Sequence, residues 1–436
     1  MKRCSFRRLG LGMGAALLMP GWLIAAASFA HEHAAGQHSA SQPKDAAATK
    51  ACNGVELLCA QTATPVFARD GTLWLAWAAG GRVSVARSND RGASFSQPVL
   101  IDATELPLDS GPDARPKIAI APDGHIVVAF ASRDEKYNGH VFIAEASDGG
   151  QAFAAPRPLA PKSPSQRFET IAFDPEGRLF AAWIDKRNAA AARATKTAYA
   201  GAALAFAWSG QQDAKLNADT LLGADAIAKD NTCECCRIGV AFAGPGRPVV
   251  LFRNIFEGGV RDHGVITFAD PLTPGPVQRV SFDDAVTDSC PHHGPSLSID
   301  KDGTYHVAWM AVGRKLKGAY YARSQDGGAT FSTPLPLGSA GAQVSRPFVL
   351  AGADGVHVAW KEFDGEATAV RLMSSADGGQ SWSSARTLLT TSDTSDHPLL
   401  LADGAVSYLS WLTSLDGYRL IPLADASVQN ASGEPK

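Results

Sequence analysis

The stretch Ser88-Asn89-Asp90-Arg91-Gly92-Ala93-Ser94-Phe95 decides the fold, because its pattern, Ser-x-Asp-x-Gly-x-x-aromatic, returns along the chain. It recurs from Ser324 to Phe331 and from Ser375 to Trp382, with a variant at Asp148-Gly149-Gly150-Gln151-Ala152-Phe153. The four aspartates stand at 90, 148, 326 and 377, so the gap of 178 in the middle leaves room for three units of about 59 residues. In such a turn the carboxylate accepts backbone N–H bonds, glycine permits positive φ, and the aromatic ring packs between neighbouring sheets. The Asp is then a staple of the fold and not a catalyst.

A second repeat runs in register with the first. A turn followed by an apolar run that ends in an aromatic residue leads to Trp77, Phe130, Trp183, Phe252, Trp309, Trp360 and Trp411, spaced 53, 53, 69, 57, 51 and 51 residues apart. Six of these runs open on Asp-Gly or Glu-Gly, as at Asp70-Gly71 and Glu176-Gly177, and the Phe252 run opens at Gly246. Seven units of apolar strand, tight turn and second strand predict β-hairpins repeated radially.

These boxes resemble the Asp-box (BNR) repeats of the sialidase-like β-propellers, over almost all of the chain from Val55 to Leu423. The expected fold is all-β: a propeller of seven blades by repeat count, each of four antiparallel strands A to D. The resemblance to sialidases keeps six blades as the alternative. The seventh unit has three strands after Asp396, and Val55 to Ala60 is expected to supply its fourth and close the ring. Asp boxes and Asp-Gly turns then share one face, called the bottom, and the variable B–C and D–A loops share the top.

Composition and the ends of the chain bound the function. Lys2, Arg3, Arg7 and Arg8, with no acid in the first 30 residues, leave a net −7 on the remainder of a chain whose total is −3. That balance argues against grasping nucleic acid through bulk charge. The apolar stretch Leu9 to Ala27 behind those cations, with Ser28 and Ala30 ahead of a cut, reads as an export signal over 1–30, so the protein is expected to be periplasmic or secreted and not membrane-embedded. Residues 31–51 read as a flexible His/Ala/Ser-rich linker, 52–424 as the propeller and 425–436 as a disordered tail. A cut after Ala30 would expose His31-Glu32-His33, an arrangement able to chelate Cu(II), although a solvated linker end is the plainer reading.

Six cysteines lie beyond the leader, and in an oxidising compartment disulfides come first and metal second. Cys52 and Cys59 flank the closing segment and read as a local disulfide. Asn231-Thr232-Cys233-Glu234-Cys235-Cys236-Arg237 precedes the fourth blade, and Ser289-Cys290-Pro291-His292-His293-Gly294 precedes the fifth. Both are D–A loops, and the B–C loop from Arg253 to His263 should rise between them. Cys233, Cys235, Cys236, Cys290, His292, His293 and His263 would then share one wedge of the top face. Two readings stand: two stabilising disulfides, or a site for a soft metal, copper first and zinc as the alternative. Cys-x-Cys-Cys is too compact for two unstrained local bridges.

The resemblance also implies an enzyme reading. Sialidases hold a carboxylate with three arginines, use a Tyr paired with an acid as nucleophile, and use an Asp as acid/base. Arg115, Arg167, Arg237 and Arg346 each precede an A strand, Tyr418 is the conceivable nucleophile, and Glu169 its possible partner. The first blade begins Ala63-Thr64-Pro65-Val66-Phe67, without the family's Arg-Ile-Pro motif. A metal-free scaffold that binds a glycan or another exported protein is the third possibility. His306 and His357, each three residues before a repeat Trp, read as packing, and His397, ahead of an A strand on the top face, reads as a satisfied surface histidine, with a place at the channel border as the alternative.

Overall fold

The computed structural model describes residue 52 and residues 54–146, 148–210, 222–287 and 292–424. The expectations for 1–30, for the His-bearing linker, for 425–436 and for Cys290 lie outside the described residues.

Seven antiparallel sheets follow one another along the chain. Blade I shows the pattern: Ala63–Phe67, Leu73–Ala79, Arg82–Ser88 and Val99–Ile101 pair in order. Blades III, V and VI repeat it. In blade II both Leu108–Asp109 and Lys117–Ile120 pair with Ile126–Arg133, and in blade IV both Thr273–Pro274 and Gln278–Arg279 pair with His263–Asp270. The seven-bladed count stands.

The B strands are covered by a neighbouring blade on each side, which is why they read as continuous apolar runs instead of alternating. Every residue of Leu73–Ala79, Leu179–Asp185 and Pro248–Arg253 is buried. Hydrophobic clusters form between consecutive blades, as where Val127 and Ala129 of blade II meet Leu179 and Trp183 of blade III. All seven repeat aromatics are buried in B strands. A buried indole needs an acceptor. Trp77 donates to Val55 O (2.8 Å), Trp183 to Asp185, Trp309 to Asp283, Trp360 to Glu362 (2.8 Å) and Trp411 to Asp396 O (3.0 Å).

The boxes behave as staples. Asp90 Oδ1 accepts the Ser94 N–H at 2.8 Å, Ser88 Oγ donates to the same carboxylate at 2.7 Å, and the Gly92 N–H donates to Ser88 Oγ at 2.7 Å. Gly92 has φ +85°, which a side chain would strain. Asp326 and Asp377 make the same set, and Asp148 keeps the backbone part of it. His306 pairs with Asp300 and Tyr321, and His357 with Asp354 and Ser374, so both are satisfied packing residues.

Two features depart from expectation. The segment Val55 to Ala60 is not a strand: it turns into a 3₁₀ helix, Leu57–Cys59, held by Cys59 N–H to Glu56 O and tied by the Cys52–Cys59 disulfide. A covalent loop closed across a sequence separation of 7 is too short to lie extended along a neighbouring strand. The segment still packs beside Leu412, Tyr418 and Trp77, where a closing strand would lie. Blade VII therefore has three strands, Leu399–Asp403, Val406–Thr413 and Gly417–Pro422. The second departure is a helix, Arg187–Thr195, in the B–C connection of blade III. Its run of alanines supplies helix propensity without an apolar stripe, so no helical period marked it.

Candidate metal centre

The last strand of blade III, Ala226–Thr232, climbs to the top face and ends where Thr232 Oγ1 donates to Ala202 O. The chain then enters Cys233, whose N–H donates to Arg253 O at 3.1 Å. Asn231 adopts φ +60°, a turn that swings the following residues inward. Cys233, Cys235 and Cys236 are all buried, their Sγ atoms lie within 4.8 Å of one another, and the Cys233 and Cys235 sulfurs are 3.2 Å apart. The Cys-x-Cys-Cys spacing thus folds three sulfurs into one pocket.

The loop before blade V reaches the same wedge. A Cβ placed on Gly294 would stand 2.4 Å from Arg237 Cβ, so the two loops run backbone to backbone only because residue 294 has no side chain. His263 stands opposite Arg253 in the ladder of blade IV. It is fully buried, and neither ring nitrogen has a hydrogen-bond partner, nor has Nδ1 of His293. Asn254 Oδ1, 3% exposed, is unpartnered as well.

Charge sets which groups are ready to bind. Cys233 is pushed well down, first by hydrogen bonds from the Cys235 and Cys236 thiols. Cys236 is pushed up, first by its bond with Cys233. Burial drives His263 far below its ordinary value, and burial followed by Arg346 lowers His293 to about 4. Both imidazoles are neutral at pH 7, the form that donates a lone pair to a metal. The group of potential ligands comprises the three cysteines, and the structure brings neither His263 nor His293 into it. His292, exposed and at φ +50°, turns away: its ring lies 6.2 Å from Phe168 and its carbonyl accepts from Arg346.

The four arginines of the enzyme reading are paired within the protein. Arg115 is buried against Asp396, while Arg237 and Arg346 both pair with Asp113, at 3.2 and 3.0 Å. Arg167 pairs with Asp109 at 3.1 Å. The guanidinium forks that would clamp a substrate carboxylate are thus engaged by the protein's own acids. Glu169 is buried with neither oxygen hydrogen-bonded, and burial raises its pKa against the pull of Lys117. Burial likewise lowers Lys117 to about 8 and Arg237 to about 10.

Tyr418 lies on the strand Gly417–Pro422, opposite Leu412, where its hydroxyl accepts from Ser410 at 3.1 Å and its ring meets Phe95 edge-on. Burial raises its pKa, the wrong direction for a nucleophile. Glu169, on blade III, is not brought to it.

Arg253, Asn254, Asp113, Lys117 and Asp396 were absent from the sequence-based site. The one mark of Arg253 was a cation closing the apolar run Pro248-Val249-Val250-Leu251-Phe252.

No family model and no curated protein matches the sequence. Solved structures match over most of the chain. An ulvan lyase of polysaccharide lyase family PL25 superposes with a TM-score of 0.52 at 10% identity, covering 85% of this chain and 93% of that one. An α-L-arabinofuranosidase from Fusarium graminearum gives 0.46 at 11%, covering 86% and 96%. A Hadza microbial sialidase gives 0.44 at 11%; this chain is covered over 83% and spans 65% of that protein. The chain is a seven-bladed β-propeller. At such identities the likeness is one of fold alone.

Proposed function

We propose that this propeller binds a soft metal ion through Cys233, Cys235 and Cys236 on its top face and serves in metal handling outside the cytoplasm. The observation that carries this is the burial of three sulfurs within 4.8 Å of one another. Thiolate ligands favour Cu(I), with Zn(II) second. Protein purified without oxygen should take up one equivalent of Cu(I) or Ag(I), and Cys233→Ser with Cys236→Ser should abolish uptake. Bridging of all three cysteines in freshly isolated protein, counted as thiols before and after reduction, would remove the proposal.

One observation favours a second reading, glycoside cleavage at the hub. Glu169 is a buried carboxyl with a raised pKa, the state of a general acid. Asp109, the acid whose charge acts on Glu169, is itself held in ion pairs with Arg133 and Arg167, so it is not free to complete an acid–nucleophile couple. Release of a fluorophore from aryl glycosides, lost in Glu169→Gln, would establish it.

A further inference from the structure

The tripeptide Cys233-Glu234-Cys235 is held by its middle residue. Glu234 Oε2 pairs with Lys186 Nζ at 3.0 Å and accepts the Tyr199 hydroxyl at 3.1 Å, both from the B–C insertion of blade III, and its side chain keeps 33% of its surface exposed. On either side of it Cys233 and Cys235 turn inward, 2% and 3% exposed, and their Sγ atoms stand 3.2 Å apart. Cys236 is buried with them, all three sulfurs lying within 4.8 Å of one another. The three are thiols, while the same chain closes Cys52 and Cys59 into a disulfide. A disulfide joins its sulfurs at about 2.05 Å, so the Cys233–Cys235 pair needs an approach of roughly one ångström to bond. Three sulfurs admit one bridge and leave one over. A bridge across a single intervening residue restrains the unfolded chain far less than a long loop does, so it adds little to stability.

We propose that Cys233 and Cys235 form a reversible dithiol–disulfide couple that closes the pocket to metal when oxidised, with Cys236 as the thiol left over. The closure rests on the metal reading above; the couple itself does not. Its oxidant is a peroxide, small enough to enter where only the loop carrying Glu234 separates the sulfurs from solvent. One sulfur of the pair attacks a peroxide oxygen, the O–O bond breaks, and a sulfenic acid and one water form. The second sulfur attacks the sulfenic sulfur and displaces the hydroxyl group, which leaves with a proton as the second water. Two thiols and one hydrogen peroxide thus become one disulfide and two waters: the pair gives up two electrons and the peroxide takes them. A small dithiol reverses the bond by exchange and is itself oxidised to a disulfide. In the bridged state neither sulfur of the pair offers a thiolate, and one ligand of the three remains.

The test starts from the full chain, purified metal-free and without oxygen, treated with hydrogen peroxide, alkylated and mapped by mass spectrometry. The expected product joins Cys233 to Cys235 with the loss of two hydrogens and carries an alkyl group on Cys236; dithiothreitol should return all three to alkylatable thiols. Cys236→Ser should keep the bridge and Cys235→Ser should lose it. Ag(I) affinity, measured by competition with a chelator, should be at least about tenfold weaker in the bridged protein and recover on reduction. Thiols that stay unbridged in the folded wild-type protein, a bridge that takes in Cys236 or Cys290 in place of either partner, or an oxidation that dithiothreitol does not reverse would each overturn the couple. Bridged protein that holds Ag(I) as tightly as reduced protein would overturn the closure. Reduced protein that binds no Ag(I) while the bridge forms as expected would remove the metal reading and leave the couple standing.

Discussion

At the scale of single residues, the acids of this fold divide by the direction in which the structure moves them. Asp90 and Asp326 are held near 2, first by the hydroxyls of Ser94 and Thr330 and then by backbone N–H groups. An acid depressed in the folded state releases its proton more readily there than in the unfolded chain, so its stabilisation is present above pH 4 and lost as pH falls toward 2. Asp283, raised to about 6 by burial, works in the opposite sense: the folded state binds its proton more tightly, and stability falls as pH rises from about 4 to about 6. Asp283→Asn is expected to flatten the stability profile between pH 4 and 6 and leave the acid limb below 4 unchanged, as read by urea denaturation at each pH. A carboxylate with the opposite role is Asp396, which holds the buried Arg115 and accepts the Ala63 N–H at 3.0 Å. Asp396→Ala leaves that cation unpaired and is expected to cost about 3–5 kcal/mol in chemical denaturation.

Elements tell how much of the molecule could be read from its sequence. The B strands were legible because their aromatics recur at blade length and two neighbours bury each one. The boxes were legible because one short motif supplies every partner of its turn. The meeting of the 233–237 loop with the segment before blade V was legible too, since both precede A strands of adjacent blades. The fate of Val55 to Ala60 was not: a segment apolar but for Glu56 gives no sign that a disulfide will curl it into a 3₁₀ turn. Arg253 and the hub ion pairs escaped because they depend on which side chains face inward across blades, and Asp113 with Arg346 are joined over 233 positions. Gly294→Ala tests the meeting of the two loops directly. Its methyl group would collide with Arg237, so metal affinity is expected to fall at least tenfold while the far-UV spectrum stays that of the wild type. Trp360→Phe removes the N–H that Glu362 accepts at 2.8 Å from a fully buried indole, and should cost about 1–3 kcal/mol.

For the whole molecule, the circle is what turns distant sequence into neighbours, and it has one place where the chain does not run on. Between blades VII and I no shared strand spans the gap among the described residues. The contact is made by side chains: Asp396 with Ala63 and Arg115, Phe67 against Tyr408 with ring centroids 5.5 Å apart, and the disulfide-tied turn against Leu412 and Tyr418. Loss of the Cys52–Cys59 bridge should lower stability by about 2 kcal/mol in denaturant, through a freer unfolded chain and a looser turn.

A circle fastened at one point by side chains parts there first when it fluctuates. Amides of Ala63–Phe67 and Leu399–Asp403 should therefore exchange with deuterated solvent ahead of those in Pro248–Arg253, which lies half a revolution away. The cysteine pocket, seated beside that most protected strand, would keep its shape through the molecule's commonest openings, and a guest held there would leave through the top loops without waiting for the blades to separate.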